Sequence, residues 1–127
     1  VYLAYGISFM LNVSAEAEGI GAGVLIRALE PIEGVALMQA RRGTRVLRDL
    51  ARGPGRLSAA LGIDKTLDGV DLCTEGPLFL AQDGMPAPTI GKSVRIGITR
   101  DADRVLRFFV RGNRFVSGPG WLNGIAR

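Results

Sequence analysis

Histidine is absent from this chain of 127 residues, and cysteine occurs once, at Cys73. A structural zinc site draws about four ligands mainly from these two residue types, so this chain cannot build one. Serine–histidine and cysteine–histidine nucleophiles are excluded within it for the same reason. One cysteine forms no internal disulfide, which agrees with a reducing compartment. We expect Cys73 to be a small, buried or half-buried apolar residue, with a reactive thiol as the alternative.

Long apolar runs are also missing. Apolar runs such as residues 78–81, 24–26 and 108–110 are short, and all are far below the ~20 residues that span a bilayer. No charged-then-apolar leader opens the chain, so the sequence predicts no secretory signal and no membrane partner. Its first residue is Val1, inside a predicted strand, whereas natural proteins normally begin with Met. We therefore expect residues 1–127 to be a single domain that is truncated at its N-terminus.

Positive charge exceeds negative charge, with 16 basic residues against 12 acidic ones and a net charge of +4. Arginine supplies 14 of those 16 basic residues. Its planar guanidinium binds phosphate oxygens through two parallel hydrogen bonds, which the lysine ammonium cannot do. GC-rich coding also favours arginine, so this composition gives only modest support for a nucleic-acid partner.

The order of predicted elements indicates the fold class. Apolar and β-branched patterns predict strands over 1–13, with a bend at Tyr5-Gly6, and over 24–29. Helical spacing follows over 33–52, divided at Gly43-Thr44 with Thr44 as N-cap, and over 55–61, where Gly62 ends the helix. Strands are predicted again at 93–98 and 105–111, then a short one at Phe115, with Trp121 anchoring the tail.

Strands, then helices, then strands predict an α+β domain. We expect a curved, mainly antiparallel sheet, similar to a roll or barrel, with peripheral helices and a protruding β-hairpin. The glycines at Gly19, Gly21 and Gly23 do not form a cofactor loop, because they lack the G-x-G-x-x-G spacing and precede a strand. A glycine-rich turn explains them better.

Three groups of residues are candidates for a binding or catalytic site. The first group consists of four arginines with spacings of 4, 3 and 4, namely Arg41, Arg45, Arg48 and Arg52. On a helix these spacings place the four side chains on one face. That face would either contact phosphates or simply be exposed to solvent. Gly53-Pro54-Gly55-Arg56 opens a helix, where free N–H groups suit a phosphate, although an ordinary helix start explains it equally. Arg27 interrupts an apolar run, and a buried arginine needs either an ion pair, with Glu30 or Glu33, or a function.

Several sequence motifs occur along the chain in the same order as in a known protein family. They are Tyr2-Leu-Ala-Tyr5-Gly6, Leu11-Asn12-Val13-Ser14, the run from Val24 to Gly34, Gly53-Pro54-Gly55-Arg56-Leu57, Ala60-Leu61-Gly62-Ile63, Arg95-Ile96-Gly97-Ile98 and the run from Leu106 to Asn113. This series resembles the alkyladenine (3-methyladenine) DNA glycosylase family. The resemblance implies a monofunctional, base-flipping enzyme that hydrolyses the N-glycosidic bond of alkylated purines such as 3-methyladenine. It also implies a double-stranded DNA partner, a monomer without a cofactor, and a place at the nucleoid of a bacterial cytoplasm.

The resemblance assigns roles to individual residues. In the family, a tyrosine at a hairpin tip fills the gap left by the flipped nucleotide; Tyr5 resembles that wedge, followed by Gly6 and Ile7. Tyr2 resembles the aromatic that stacks on the flipped base, with Met10 and Asn12 beside it in the pocket. Two residues resemble the pair that holds the attacking water, namely Arg27 and, through its backbone carbonyl, Ile96. The phosphate contacts would come from Arg41, Arg45, Arg48 and Arg56.

The chain also departs from the family pattern. The general-base glutamate of the family lies in a segment of the form E-A-Y-x-G-x-x-D-x-A-x-H, which also supplies a second stacking tyrosine and a histidine. No part of this sequence matches that segment. Ser8 is smaller and more polar than the residue expected beside the wedge. Two alternatives remain: a non-catalytic nucleic-acid-binding domain similar to the C-terminal domain of methionyl-tRNA formyltransferase, and a purely structural or oligomerising sheet domain.

Overall fold

The structure, a computed structural model, describes residues 1–6 and 8–124. Ile7, which was predicted to follow the wedge, lies outside the described residues. The described part contains two α-helices and three antiparallel strand pairs, which confirms the α+β class. None of its helices has the length and apolarity required to cross a membrane.

The first hairpin pairs β1 (Tyr2–Ala4) with β2 (Ser8–Met10). Ala4 lies opposite Ser8, so the chain turns between these two residues. The turn begins with two residues of positive φ, Tyr5 at 53° and Gly6 at 65°. Residues of positive φ are common in the tight turns of hairpins. The predicted bend at Tyr5-Gly6 is confirmed.

The second pair joins β3 (Asn12–Val13) to β4 (Val24–Leu25), with Asn12 opposite Leu25. The predicted strand over 24–29 is therefore too long. Beyond Leu25 the chain leaves β3, and Ala28 forms a single bridge with Arg52 instead. The second half of the predicted strand is thus held by the segment that precedes the second helix.

Two helices of eight residues follow, α1 (Val35–Arg42) and α2 (Pro54–Leu61). Gly43 ends α1 at a φ of 65°, which confirms the predicted division. Thr44 caps no helix; its hydroxyl accepts a hydrogen bond from the N–H of Val46 at 3.3 Å. Gly62 ends α2 at a φ of 67°, as predicted, because glycine adopts this left-handed conformation without steric cost.

The division at Gly43 overturns the predicted arginine face. Only Arg41 of the four lies in α1; Arg48 belongs to a short 3-10 turn, Leu47–Asp49, and Arg45 and Arg52 lie outside both helices. Spacings of 4, 3 and 4 give a common face only where one helix runs through all the positions. The four arginines therefore do not form one helical stripe.

The core lies between α2 and the strand junction at Leu11. Its buried members are Leu11, Ala51, Leu57, Ala60 and Ile63. One close approach fixes the hairpin against this core, because a Cβ at Gly55 would stand only 2.9 Å from the Ser8 hydroxyl oxygen. This contact accounts for the small residue at Ser8.

The third pair consists of β5 (Ile90–Ser93) and β6 (Arg107–Val110), with Ser93 opposite Arg107 and Gly91 opposite Phe109. The predicted strand at 93–98 is wrong, because the strand begins sooner after the last proline of the loop, Pro88, and stops at Ser93. The strand at 105–111 is confirmed over its central residues. No strand forms at Phe115, which is buried in a turn.

Two further expectations are wrong. Cys73 is exposed in a loop, where its N–H donates to the Asp71 carboxylate at 2.8 Å. Trp121 is 59% exposed and does not anchor the tail.

The described strands form three separate two-stranded ladders rather than one curved sheet or closed barrel.

Candidate active site

The tip of the first hairpin presents an aromatic ring to solvent. The Tyr5 side chain is 94% exposed, although tyrosine is a large residue that usually packs against the core. Its backbone has a φ of 53°, which is uncommon for a residue other than glycine. Such a conformation costs about 1 kcal/mol or more and is concentrated at functional sites. The turn therefore displays this ring at some energetic cost.

Tyr2 and Met10 lie directly opposite each other on β1 and β2. The Tyr2 side chain is 52% exposed, while Met10 is half-buried. Directly opposed side chains on antiparallel strands are neighbours, so the two form an apolar pair with one open ring face. The pair can receive a planar aromatic ligand by stacking and sulfur contact.

Asn12 and Arg27 each hold a buried nitrogen without a hydrogen-bond partner among the described residues. The atoms are Nδ2 of Asn12 and Nε of Arg27. The two residues are close along the β3–β4 ladder, because Asn12 lies opposite Leu25, two residues before Arg27. A buried donor that lacks a partner costs about 1–3 kcal/mol, so such an atom calls for an explanation.

Arg27 differs from the other arginines with an unpaired buried Nε. Arg52 still bonds through its terminal nitrogen to Asp49, and Arg95 to two backbone carbonyls. Arg27 makes no side-chain hydrogen bond or ion pair within residues 1–6 and 8–124, and desolvation by burial lowers its pKa. Glu30, one expected ion-pair partner, instead accepts a hydrogen bond from Asn113 at 3.0 Å.

Arg107 is a buried arginine that the sequence analysis did not single out. Only 4% of its surface is exposed. It donates to the Ser93 hydroxyl at 2.8 Å, to the Ser117 carbonyl oxygen at 2.6 Å and to the Asn123 amide oxygen at 2.5 Å, and its guanidinium lies 4.6 Å from the Phe109 ring centroid. One signal was present in the sequence, since an arginine alternates with Phe109 on the inner face of a strand.

Arg107 lies near Ile96, and the charge of Arg27 acts on it. Desolvation lowers the pKa of Arg107, and the positive charge of Arg27 lowers that pKa further, so the two guanidinium groups lie near one another. On the other side, a Cβ built on Gly118 would collide with the Ile96 side chain and would lie 3.5 Å from Nη2 of Arg107. Arg107 thus packs beside Gly118 and Ile96, and its guanidinium is within electrostatic reach of Arg27.

Two of the predicted phosphate contacts bond within the protein. Arg41 donates to the Ala60 carbonyl oxygen at 3.2 Å, which satisfies an acceptor near the C-terminal end of α2. Arg48 donates to the Arg114 carbonyl oxygen at 2.9 Å. Both side chains therefore join distant parts of the chain.

Arg45 and Arg56 are freer. Arg56 lies 3.9 Å from the Asp49 carboxylate in an ion pair that leaves about half of its side chain exposed. Arg45 is exposed, and its side chain has no hydrogen-bond or ion-pair partner in the described part of the chain. Of the four predicted phosphate contacts, Arg45 is thus the most available to an external anion.

The carboxylates that the structure describes form ion pairs or hydrogen bonds with other groups, or they lie at the surface. Asp49 pairs with Arg52 and Arg56, and Asp68 with the chain's first amino group at 3.0 Å. Among the described residues, no three histidine, cysteine, aspartate or glutamate side chains gather into a possible metal site. Arg27 therefore forms no ion pair with a carboxylate from this part of the chain.

Comparison with known proteins identifies the family of this chain. A sequence model of the family described as methylpurine-DNA glycosylase (MPG) matches residues 1–114. A protein of Mesorhizobium japonicum, whose name gives 3-methyladenine DNA glycosylase as a provisional assignment, is 66% identical over 119 residues, which cover 94% of this chain and 57% of that protein. A similarly named protein of Paraburkholderia phytofirmans is 51% identical over 119 residues, covering 94% of this chain and 56% of its own length.

A third relative, from Rubrobacter xylanophilus and provisionally named in the same way, is 44% identical over 124 residues, which cover 98% of this chain and 64% of that protein. The chain thus spans a little over half the length of the first two relatives. The family match extends over most of the chain and includes the first hairpin, Arg27 and Arg107. The chain belongs to the methylpurine-DNA glycosylase family.

Proposed function

We propose that this chain forms the base-binding and water-positioning part of a monofunctional DNA glycosylase. The substrate is double-stranded DNA with an alkylated purine such as 3-methyladenine, and the reaction hydrolyses the N-glycosidic bond. The enzyme acts as a monomer, without a cofactor, at the nucleoid of the cytoplasm. The general base comes from a segment of the form E-A-Y-x-G-x-x-D-x-A-x-H; the chain joined to such a segment is called the extended protein below.

One observation carries this proposal: the unpartnered buried nitrogens of Asn12 and Arg27 lie close to a hairpin that exposes Tyr5. Enzymes that act on a base in duplex DNA extrude the nucleotide, at a cost of a few kcal/mol, and read the base in a pocket. An exposed aromatic can fill the gap in the stack, and buried donors can bond to the base and to water. The hairpin supplies the exposed aromatic ring through Tyr5, and Asn12 and Arg27 supply the buried donors.

Each side chain then has a task in binding. Tyr5 enters the minor groove and replaces the flipped nucleotide, with Gly6 and Ile7 beside it. Tyr2 stacks on the extruded purine, whose positive charge after alkylation strengthens its attraction to an aromatic face. Met10 fills the space beside Tyr2, and the Asn12 amide donates to the purine edge. These contacts favour a flat, cationic base.

The chemical step uses a water molecule as the nucleophile. Arg27 donates a hydrogen bond to the water oxygen, and the water donates a hydrogen bond to the backbone carbonyl of Ile96. The water oxygen bonds to the sugar C1′ as the C1′–N bond breaks, and the base leaves with the electron pair. The glutamate of the extended protein takes the water proton. A base that is already positively charged leaves as a neutral molecule, so it needs no protonation by the enzyme.

The proposal also includes the sheet and the domain that the chain forms together with the added segment. In the extended protein, the three strand pairs lie in one curved, roll-like sheet, because added strands can join ladders that end after two strands. The chain is then part of a single domain with the added segment. This arrangement places the glutamate beside Arg27, which forms no ion pair with a described carboxylate.

DNA preference tests the proposed function against its main alternative. The extended protein should bind a duplex with an abasic site or a damaged purine more tightly than the same undamaged duplex, and should release the damaged base. A nucleic-acid-binding domain of the formyltransferase type would bind both duplexes equally. A structural sheet domain would show no salt-dependent DNA binding.

The wedge gives the first specific prediction. Tyr5→Ala should weaken binding to abasic-site DNA more than binding to undamaged duplex, by about 1–3 kcal/mol, the usual contribution of stacking between a base and an aromatic ring. Tyr5→Phe is the matched control, because it keeps the ring and should bind as the unaltered protein does. Fluorescence anisotropy on both duplexes measures the difference. Equal losses on the two duplexes would refute the assignment of Tyr5.

The arginines give a second prediction, which separates phosphate contact from structure. Arg45→Ala should reduce the slope of log affinity against log salt by about 0.9, the effect of one lost phosphate contact. Arg41→Ala should instead lower the free energy of unfolding by about 1 kcal/mol, since it removes a hydrogen bond to a carbonyl. Salt titrations and thermal melts of both variants test this, and an unchanged slope for Arg45→Ala would leave that side chain a solvated surface residue.

A further inference from the structure

We infer that Arg107 is a positioning residue of the reaction centre, which clamps the chain segments on either side of Ile96. This inference rests on the proposed function, because it concerns the carbonyl that holds the attacking water. Arg107 lies on the inner face of the β5–β6 hairpin and is almost fully buried. It was not among the residues to which the family resemblance assigned a role.

The first half of the clamp holds the segment before Ile96. Nη1 of Arg107 donates to the Ser93 hydroxyl at 2.8 Å, and that hydroxyl donates to the Val94 carbonyl oxygen at 2.9 Å. These bonds occur where β5 ends and the backbone becomes irregular. A segment without ladder hydrogen bonds needs side-chain contacts to hold its carbonyls in place. The position of the Ile96 carbonyl thus depends on a segment that Arg107 ties down.

The second half of the clamp holds the segment that packs on Ile96. Nη2 of Arg107 donates to the Ser117 carbonyl oxygen and to the Asn123 amide oxygen. Gly118 follows Ser117 and lies so close to Ile96 that a Cβ there would collide with its side chain. One guanidinium therefore fixes both the backbone that carries Ile96 and the wall against which the side chain of Ile96 rests.

The inner face of the hairpin keeps the guanidinium in place. The Phe109 ring lies 4.6 Å from it, in the geometry of a cation–π contact. Gly91 lies opposite Phe109 and leaves room for the ring, because a Cβ there would overlap it. A lysine at this position would keep the charge but could not make several bonds in one plane, since its ammonium lacks the guanidinium fork.

Variants of the extended protein test the inference. Arg107→Met should lower the single-turnover excision rate, with folded enzyme in excess, by about 10-fold to 100-fold, because an ångström of misplacement has effects of that size. Affinity for abasic-site DNA should stay within twofold, and Arg107→Lys should recover part of the rate. Arg104→Met is the matched control, since Arg104 is exposed and its side chain makes no hydrogen bond to the described residues; it should excise at the unaltered rate.

Asn123→Ala provides a milder change if Arg107→Met does not fold, because it removes one acceptor and leaves the guanidinium. It should show a smaller loss of the same kind, in rate and not in affinity. Unaltered single-turnover rates in folded Arg107 and Asn123 variants, with only lower melting temperatures, would overturn the inference and leave the clamp a stabilising contact. A lack of excision by the unaltered extended protein would overturn the proposed function, and this inference with it.

Discussion

Replacing Arg27 by alanine in the extended protein is expected to lower base excision by about 100-fold or more, the usual effect of removing one oriented hydrogen-bond donor from a reaction centre, with little change in DNA affinity. The reason is that the Arg27 guanidinium has no partner within the described chain, so its proposed bond is to water in the transition state. Single-turnover excision and binding to abasic-site DNA, measured on the same preparation, separate the two effects.

Arg111→Ala is the matched control for Arg27→Ala, because Arg111 is an exposed arginine just beyond β6. It should leave the excision rate unchanged. Arg27→Lys should fall between the two, since it keeps the charge without the planar fork. If Arg27→Ala lost activity only through a lower melting temperature, with the folded fraction turning over normally, Arg27 would be a structural residue.

The second large effect concerns residues 1–127 by themselves. This chain alone should release alkylated purines no faster than the spontaneous reaction in the same buffer. A general base must lie within about 3 Å of the water proton, and none of the described carboxylates forms an ion pair with Arg27. Weak, salt-sensitive DNA binding through Arg45 and Arg56 should remain.

The comparison is made on methylated DNA, with this chain and the extended protein at equal concentrations of folded protein. A second extended protein, in which the glutamate of the added segment is replaced by glutamine, controls for the effect of added chain on folding. It should bind DNA as the extended protein does and should excise as slowly as residues 1–127. Equal turnover by the chain alone and the extended protein would place the catalytic base within residues 1–127.

Local signals in the sequence were enough to predict several elements. The turn at Tyr5-Gly6 and the helix ended by Gly62 depend on residues next to one another, and both were confirmed. The division of the helical region at Gly43 was also foreseen, because glycine ends helices in a left-handed conformation. Predictions of this kind succeed where the backbone conformation of one or two residues decides the outcome.

Tertiary contacts decided the features that the sequence could not predict. The arginine stripe failed because α1 ends at Gly43, and the side chains of Arg41 and Arg48 then bond to carbonyls 19 and 66 residues away, contacts that no spacing rule contains. The bounds of β5 were misplaced because the pairing of β5 with β6, across a long loop, decides where the strand begins and ends. Arg107 was passed over for the same reason, since its partners Ser117 and Asn123 gather around it only in the folded chain.

The site itself was predicted through motifs. The resemblance singled out Tyr2, Tyr5, Asn12 and Arg27, and the structure adds two observations that no motif contains, the full exposure of the Tyr5 ring and the unpaired buried nitrogens of Asn12 and Arg27. Their roles in base binding and water positioning stay predictions until variants are assayed.

Product analysis of the extended protein acting on alkylated duplex DNA tests the central claim most directly. Mass spectrometry of the small molecules and gel electrophoresis of the strand should be run on the same reaction. We predict free alkylated purine, such as 3-methyladenine, together with an unbroken strand that carries an abasic site, because water is the nucleophile. Failure to release a base from damaged DNA, or strand cleavage that accompanies each release, would contradict this account.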